Sequence, residues 1–127
     1  MTKRTGARPP AARRGDAGYI PEAGDLVWLS FSPQAGREQA GRRPAVVFSP
    51  HAYNSRSGLC LACPVTSQAK GYPFEVPLPD GLAVTGIILV DHVRSADWQV
   101  RHAECAGRVP PEVLEEVRAR LMPLLGN

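Results

Sequence analysis

The chain is divided into short apolar runs, each of which stops at a glycine, a proline or a polar turn, and this division strongly limits the folds available to it. Runs of this length that alternate with small or polar residues, or that are continuously apolar, are typical of β-strands. The pattern predicts strands at 24–32, 44–48, 59–65, 74–78 and 86–90, with a weaker candidate near 99–105.

One segment has a different period. After Pro110 and Pro111, apolar residues recur at helical spacing from Val113 to Leu124, so we expect a C-terminal α-helix that ends or kinks at Pro123. Short strands followed by a single amphipathic helix predict a β-rich α+β fold, in which the strands form a small antiparallel β-barrel.

Two long loops separate the early strands. Segments 32–42 and 66–73 are rich in glycine and polar side chains, which leave the backbone free and offer little to pack. We therefore expect both loops to be flexible. Between them, residues 49–58 predict a turn with about one turn of helix, closed by Gly58.

Charge is distributed unevenly along the chain. The net charge is +3, and residues 1–24 account for all of it with five basic and two acidic side chains, whereas residues 25–127 hold ten of each sign. We predict a disordered basic tail at 1–23 and one folded domain at 24–127. The tail either adds nonspecific attraction to nucleic acid or is simply solvated.

A second cationic region lies inside the domain. Residues 36–72 contain five basic side chains and one acidic side chain, which suits an anionic partner. No run approaches the roughly 20 apolar residues of a membrane span. The basic N-terminus also lacks the apolar run of a signal peptide. We therefore expect a cytoplasmic protein without a membrane partner.

Two of the three cysteines form a C-x-x-C motif, which invites a redox or zinc interpretation. The surrounding segment LCLACPV predicts a strand, in which residues three apart point to opposite faces, so the sulfurs of Cys60 and Cys63 would diverge. With Cys105 the count is odd, and no second ligand pair has zinc spacing. We expect buried structural thiols rather than a disulfide framework.

The common catalytic templates are absent. The sequence contains no G-x-S-x-G, P-loop, H-E-x-x-H or glycine-rich dinucleotide fingerprint. His51, His92 and His102 stand apart from carboxylates at metal-ligand spacing. We expect neither a metal centre nor a cofactor.

Two stretches carry a family resemblance. GDLVWLSFSPQAGREQAGRRPAVVFSPHAYN at 24–54 and CPVTSQAKGYPFEV at 63–76 resemble the MazF/PemK family of toxin endoribonucleases, and the likeness spans nearly all of 24–126. The resemblance implies an SH3-like barrel, a homodimer, and sequence-specific, metal-independent cleavage of single-stranded mRNA that inhibits translation. It also implies an acidic, partly disordered cognate antitoxin that occupies the RNA groove.

The functional positions of the family transfer one at a time. The arginine before proline becomes Arg43, the glutamate of E-Q becomes Glu38, and the threonine that ends the third strand becomes Thr66, and these three are the implied catalytic residues. The implied RNA-binding residues are Gln39, Arg42, Gln68, Lys70, His92 and Arg94. The histidine at 92 stands where the family commonly has a glutamine.

Elementary chemistry gives each catalytic residue a role. RNA carries its own nucleophile, the 2′-hydroxyl, beside every scissile phosphate. Arg43 presents a planar fork of donors that suits a crowded phosphorane, Glu38 suits proton abstraction, and Thr66 can donate its hydroxyl to a nonbridging oxygen. Taken singly, each is also explained as a solvated surface residue. Attack by the 2′-hydroxyl predicts a 2′,3′-cyclic phosphate and a 5′-hydroxyl as products.

One alternative belongs to a different functional class. Some toxins of the same fold bind and poison DNA gyrase and cut nothing, through a C-terminal helix that ends in aromatic and small residues. This chain ends LMPLLGN, without an aromatic residue. RNA cleavage and gyrase poisoning are two hypotheses that assays on RNA and on DNA supercoiling separate.

Overall fold

The computed structural model of the chain describes residues 18–30 and 41–126. These residues form seven β-strands and two α-helices. The bounds are β1 Asp25–Ser30, β2 Arg42–Val47, α1 His51–Ser57, β3 Leu59–Thr66, β4 Glu75–Pro77, β5 Ile87–Leu89, β6 Arg94–Asp97, β7 Glu104–Arg108 and α2 Pro111–Leu121. Short 3₁₀-helices cover Val90–His92 and Met122–Leu125.

The predicted elements are mostly confirmed. The five firm strand predictions correspond to β1 through β5, and the helical turn and the C-terminal helix correspond to α1 and α2. The weak candidate near 99–105 is wrong in position, because residues 98–102 form turns and the strand starts at Glu104. Strand β6 was not predicted, since its sequence RSAD buries a single residue, Ala96, and has no apolar alternation.

The sheet is antiparallel, with the strand order β4-β5-β3-β2-β1-β7, and β6 also pairs with β3. Strand β3 is therefore central, with β2 along one edge and with β6 and β5 sharing the other. Within the described residues β4 and β7 do not pair with each other, so the sheet is open and a closed barrel is not confirmed. Strand β4 ends at Pro77, which has no N–H with which to extend the pairing.

Apolar residues pack in two clusters. The first contains Leu26 and Val46 and is covered by Val117 of α2, and the second contains Val27 and Trp98. Neighbouring residues of one strand go to different clusters because side chains alternate across a sheet. None of the helices in residues 18–30 and 41–126 has the length and apolar character needed to cross a membrane.

The cysteines follow the same alternation. Cys60 belongs to the second cluster and Cys63 to the first, so the two sulfurs diverge as predicted, and all three cysteines are free. Burial, with a smaller contribution from the Asp97 carboxylate, raises the pKa of Cys60 from 9.0 to about 12. Burial and then Asp91 raise the pKa of Cys63 to about 12 in the same way. Both thiols therefore stay protonated at neutral pH.

Residues just before the predicted start of the domain take part in buried contacts. Tyr19 is buried, and its hydroxyl donates to the buried carboxylate of Asp25 at 2.8 Å. The amide nitrogen of Asn54 donates to the carbonyl oxygen of Pro21 at 2.9 Å. The folded unit therefore includes at least residues 19–22, because they complete buried hydrogen bonds. The rest of the predicted tail, up to residue 17, lies outside the described residues.

Candidate active site

A cleft of about 720 Å³ opens where β2 begins and β3 ends, and we call it the main cleft. Its lining comes from β1 and β2, from the end of β3 and the segment that follows it, from the loop before β5, and from the end of β5 and the 3₁₀-helix after it. The lining residues are Trp28, Arg43, Pro44, Pro64, Val65, Thr66, Ser67, Gln68, Ala83, Val84, Thr85, Leu89 and His92.

Sheet register brings Arg43 and Thr66 together. Strands β2 and β3 pair with Ala45 opposite Pro64, and the same register continued by two residues sets Arg43 opposite Thr66. Arg43 is exposed, whereas Val46, three residues further along β2, is fully buried. A packed strand thus holds the backbone from which the guanidinium reaches the cleft.

The hydroxyl of Thr66 has a defined hydrogen bond. Its oxygen accepts the backbone N–H of Gln68 at 3.2 Å, which leaves the hydroxyl proton for another acceptor. The loop before β5 packs closely on the same strand end at Gly86, where a Cβ would lie 2.5 Å from the Thr66 carbonyl oxygen. Only glycine permits this approach, and its φ of +140° also disfavours other residues.

A smaller cavity of about 230 Å³ adjoins the main cleft, and we call it the side pocket. It shares Thr66, Gln68, Leu89 and His92 with the main cleft, so the two cavities are adjacent. The residues that belong to the side pocket alone are Lys70, Tyr72, Glu75 and Asp91.

The loop between β3 and β4 is fastened at several points. The Glu75 carboxylate accepts the backbone N–H of Lys70, at 3.2 and 3.0 Å for its two oxygens, and the N–H of Gly71 at 3.0 Å. From α2, the Arg120 guanidinium donates to the carbonyl oxygen of Pro73. The loop predicted to be flexible at 66–73 is therefore held by side chains from two elements. Most of the other predicted loop, 32–42, lies outside the described residues.

Arg42 and Arg43 are neighbours in sequence but have different surroundings. The Arg42 side chain is 15% exposed and forms an ion pair with Glu104 at 3.2 Å. It also donates to the Ser30 hydroxyl at 2.8 Å and to the His102 carbonyl oxygen at 3.1 Å. Arg42 lines neither cavity, and its guanidinium is held by Ser30, His102 and Glu104 instead.

Three other predicted positions lie away from the two cavities or outside the described chain. Arg94 starts β6 opposite Ala62 and is exposed, and it lines neither cavity. Glu38 and Gln39 lie outside the described residues. The predicted site residues that the structure brings together are Arg43, Thr66, Gln68, Lys70 and His92.

The cavities also contain residues that the sequence did not single out. Trp28 is half-buried between fully buried neighbours on β1, but it continues an apolar run in the sequence, so no local signal set it apart. Tyr72 and Glu75 lie in the quoted motif KGYPFEV, but nothing in the motif distinguishes them from ordinary loop and strand residues. Asp91 had no local signal, since it reaches the side pocket only through the 3₁₀-helix before β6.

The site combines hydrogen-bond donors with two carboxylates, Glu75 and Asp91, which lie at the side pocket. Arg43, Thr66 and Lys70 supply a guanidinium, a hydroxyl and an ammonium around the two adjoining cavities, and these donors suit phosphate oxygens. Within the described part of the chain, no group of three or more histidine, cysteine, aspartate or glutamate side chains is arranged to hold a metal ion.

Comparisons with known proteins agree with this geometry. Residues 22–125 match the family model described as "PemK-like, MazF-like toxin of type II toxin-antitoxin system". The endoribonuclease toxin MazF of Escherichia coli strain K12 is 49% identical over 108 residues, which cover 85% of this chain and 96% of that protein.

Solved structures show the same likeness. A crystal structure of MazF from Deinococcus radiodurans is 61% identical, with a TM-score of 0.78, and the match covers 86% of this chain and 99% of that one. A MazE–MazF crystal structure from the same organism matches at 56% identity and a TM-score of 0.77, covering 85% of this chain and 97% of that one.

The matches extend over almost the whole length of these relatives, and the curated ones are named as endoribonucleases. The family model also covers the strands and the helix that build both cavities. The chain is thus an endoribonuclease, and it belongs to the PemK-like, MazF-like family of toxins of type II toxin–antitoxin systems.

Proposed function

We propose that this endoribonuclease cuts single-stranded RNA, mRNA included, at specific sequences through attack of the 2′-hydroxyl, and that the cutting inhibits translation in the cytoplasm. The observation that carries the proposal is that Arg43 and Thr66 line one cleft from adjacent strands. A guanidinium and a hydroxyl from neighbouring strands that line one cleft suit the nonbridging oxygens of a single phosphate.

The proposed mechanism needs few groups because RNA supplies the nucleophile. Arg43 stabilises the charge of the phosphorane with its fork of donors. Thr66 donates its hydroxyl proton to a nonbridging oxygen, which its hydrogen bond from Gln68 leaves it free to do. Glu38 takes the proton of the 2′-hydroxyl as its oxygen attacks phosphorus, an assignment that rests on the family resemblance. The bond from phosphorus to the 5′-oxygen then breaks, and this oxygen takes a proton from solvent to leave as the 5′-hydroxyl. No metal ion enters any of these steps.

The remaining predicted positions bind the substrate in this proposal. Gln68, Lys70 and His92 line the cavities beside the catalytic pair. Gln39 and Arg94 are assigned to RNA binding from the family resemblance alone. Arg42 was also predicted to bind RNA. Its guanidinium is already bonded to Ser30, His102 and Glu104, so we assign it to holding the strand ends instead.

We further propose a homodimer and a cognate antitoxin. The MazE–MazF structures of a relative support the antitoxin, which we expect to be acidic, partly disordered and bound over the same basic cleft. Charge complementarity of this kind makes the affinity fall as salt rises. A two-fold homodimer is the commonest assembly of a small chain of this kind.

The test combines substrate chemistry with a chelator. Purified protein should cut a single-stranded RNA in EDTA and leave a 2′,3′-cyclic phosphate and a 5′-hydroxyl. A matched RNA with one deoxyribose before the cut should bind and stay intact. Loss of cutting in EDTA with recovery on added magnesium or zinc would show that a metal takes part, and a 5′-phosphate product would show that water attacks.

A gyrase supercoiling assay separates the alternative function. The endoribonuclease should leave supercoiling unchanged at concentrations that cut RNA completely. Inhibition of gyrase by a protein that leaves every RNA intact would instead support the non-catalytic toxin.

A further inference from the structure

We propose that the side pocket binds one nucleobase of the RNA and that Asp91 selects which base it accepts, favouring bases with an exocyclic amino group over uracil. The inference rests on the proposed RNA cleavage and adds a specificity-determining residue to it. Asp91 lies outside the set of positions that the family resemblance transfers.

The size and position of the side pocket suit a single base. Its volume of about 230 Å³ lies below the range of about 300–1,000 Å³ that drug-sized ligands occupy, so it fits a fragment such as one base. Thr66 and His92 line both cavities, so the two cavities lie side by side. A nucleotide whose phosphate lies in the main cleft is therefore close enough to place a base in the side pocket.

Two side chains at the side pocket match the non-specific parts of a nucleotide. Tyr72 is 60% exposed and offers its ring as a stacking surface, and bases of single-stranded RNA stack on such rings. Lys70 lines the same pocket and suits the adjoining phosphate. Its loop is fastened by Glu75, so the ammonium is presented from a backbone of defined shape.

The two carboxylates of the side pocket differ in whether they already accept hydrogen bonds. Glu75 accepts the backbone N–H groups of Lys70 and Gly71. For Asp91, no hydrogen bond to the carboxylate is formed within residues 18–30 and 41–126, and its ionic neighbour, His92 Nε2, lies 4.0 Å away, beyond hydrogen-bond range. Asp91 therefore brings unused acceptors to the wall of the pocket.

The Asp91 carboxylate repels the phosphates of RNA. It therefore favours binding only where it accepts a hydrogen bond from a donor group on the RNA. Base edges provide such donors, and Asp and Glu accept from the amino group of cytosine. Adenine and guanine also carry an amino group. Uracil has none, and its N3–H donor lies between two carbonyl oxygens that repel a carboxylate. The carboxylate thus discriminates against uracil at one position of the substrate.

The test is a map of cleavage sites in a random-sequence RNA library, made with the full chain. The wild type should cut poorly where uracil occupies one position near the scissile bond. Asp91→Asn should raise relative cutting of uracil at that position by about 5- to 100-fold, because an amide both donates to and accepts from uracil. Other positions should keep their preferences. Asp80→Asn, in a turn that lines neither cavity, is the matched control and should change nothing.

A second variant guards against a folding defect. Asp91→Glu keeps the acceptor charge and should keep the exclusion of uracil, even if its overall rate is lower. An unchanged map for Asp91→Asn, or a change spread evenly over all positions, would overturn the inference. A wild-type protein that cuts no member of the library would instead refute the proposed function, so the two failures are distinguishable.

Discussion

Arg43 is the charged side chain that the proposed mechanism places on the reacting phosphate. Arg43→Ala should lower the single-turnover cleavage rate by about a hundredfold to a thousandfold, as loss of one electrostatic donor does elsewhere. Arg43→Lys should restore little of this, because a point charge does not reproduce the fork of donors. Arg56→Ala removes an equal charge from α1, away from both cavities, and should leave the rate near that of the wild type. Equal losses in the alanine variants at 43 and 56 would mean that only net charge matters.

The buried thiols make stability depend on pH in the alkaline range. Cys60 and Cys63 have a pKa of about 12 in the folded protein against an ordinary value of 9.0, so the folded state holds these protons more tightly than the unfolded state. Their contribution to stability is therefore complete below about pH 9 and is lost as the pH rises from 9 towards 12. Urea unfolding at pH 7, 9 and 10.5 should show a falling midpoint. Replacing both cysteines with alanine should flatten that fall, whereas Cys105→Ala should not, and parallel curves for all three proteins would contradict this account.

Strand β3 carries the site because it is supported on both edges. Strand β2 pairs with one edge, β6 and β5 pair with the other, and Thr66 lies at its end. A residue at the end of a central strand has little freedom to move, and preorganised donors are the ones that stabilise a transition state effectively. The loop before β5 adds to this support through its close contact at Gly86.

Gly86→Ala tests that contact. The new Cβ would lie 2.5 Å from the Thr66 carbonyl oxygen and 2.9 Å from Val65 Cγ1, so the end of β3 has to shift. Gly81→Ala is the matched control, since its φ of +95° is also positive but nothing lies within 4 Å of the added atom. Both should lose stability from backbone strain, of order 1–3 kcal/mol. Only Gly86→Ala should also lose cleavage rate, measured on folded protein. Full activity in that variant would show that the position of Thr66 does not matter.

The folded unit as a whole depends on residues before the first strand. Tyr19, Pro21 and Glu22 supply partners to the buried side chains of Asp25 and Asn54. Deleting residues 1–22 should therefore lower the free energy of unfolding by about 3 kcal/mol or more, because a buried aromatic ring is lost and buried polar groups lose partners. Deleting residues 1–17 should cost little by comparison. Identical urea midpoints for the two truncated proteins would refute this assignment.

Local pattern was enough to predict most elements and the direction of several side chains. The alternation in LCLACPV placed Cys60 and Cys63 on opposite faces, and the spacing after Pro110 identified the C-terminal helix. Such predictions succeed because the spacing of apolar residues along the chain shows which face of a strand or helix is buried. The sequence also singled out Arg43 and Thr66, since each lies in a stretch with a strong family likeness, and both line the main cleft.

Contacts between distant segments set the rest. Arg42 was predicted to bind RNA beside the catalytic Arg43. In the structure it pairs with Glu104, 62 residues away, and no local pattern predicts such a partner. The open sheet, the inclusion of Tyr19 in the core and the arrival of Asp91 at the side pocket likewise depend on strand register and on which segments pack together. Those choices are made by hydrogen bonds and burial between parts of the chain that are far apart in sequence, so they become visible only when the fold is assembled.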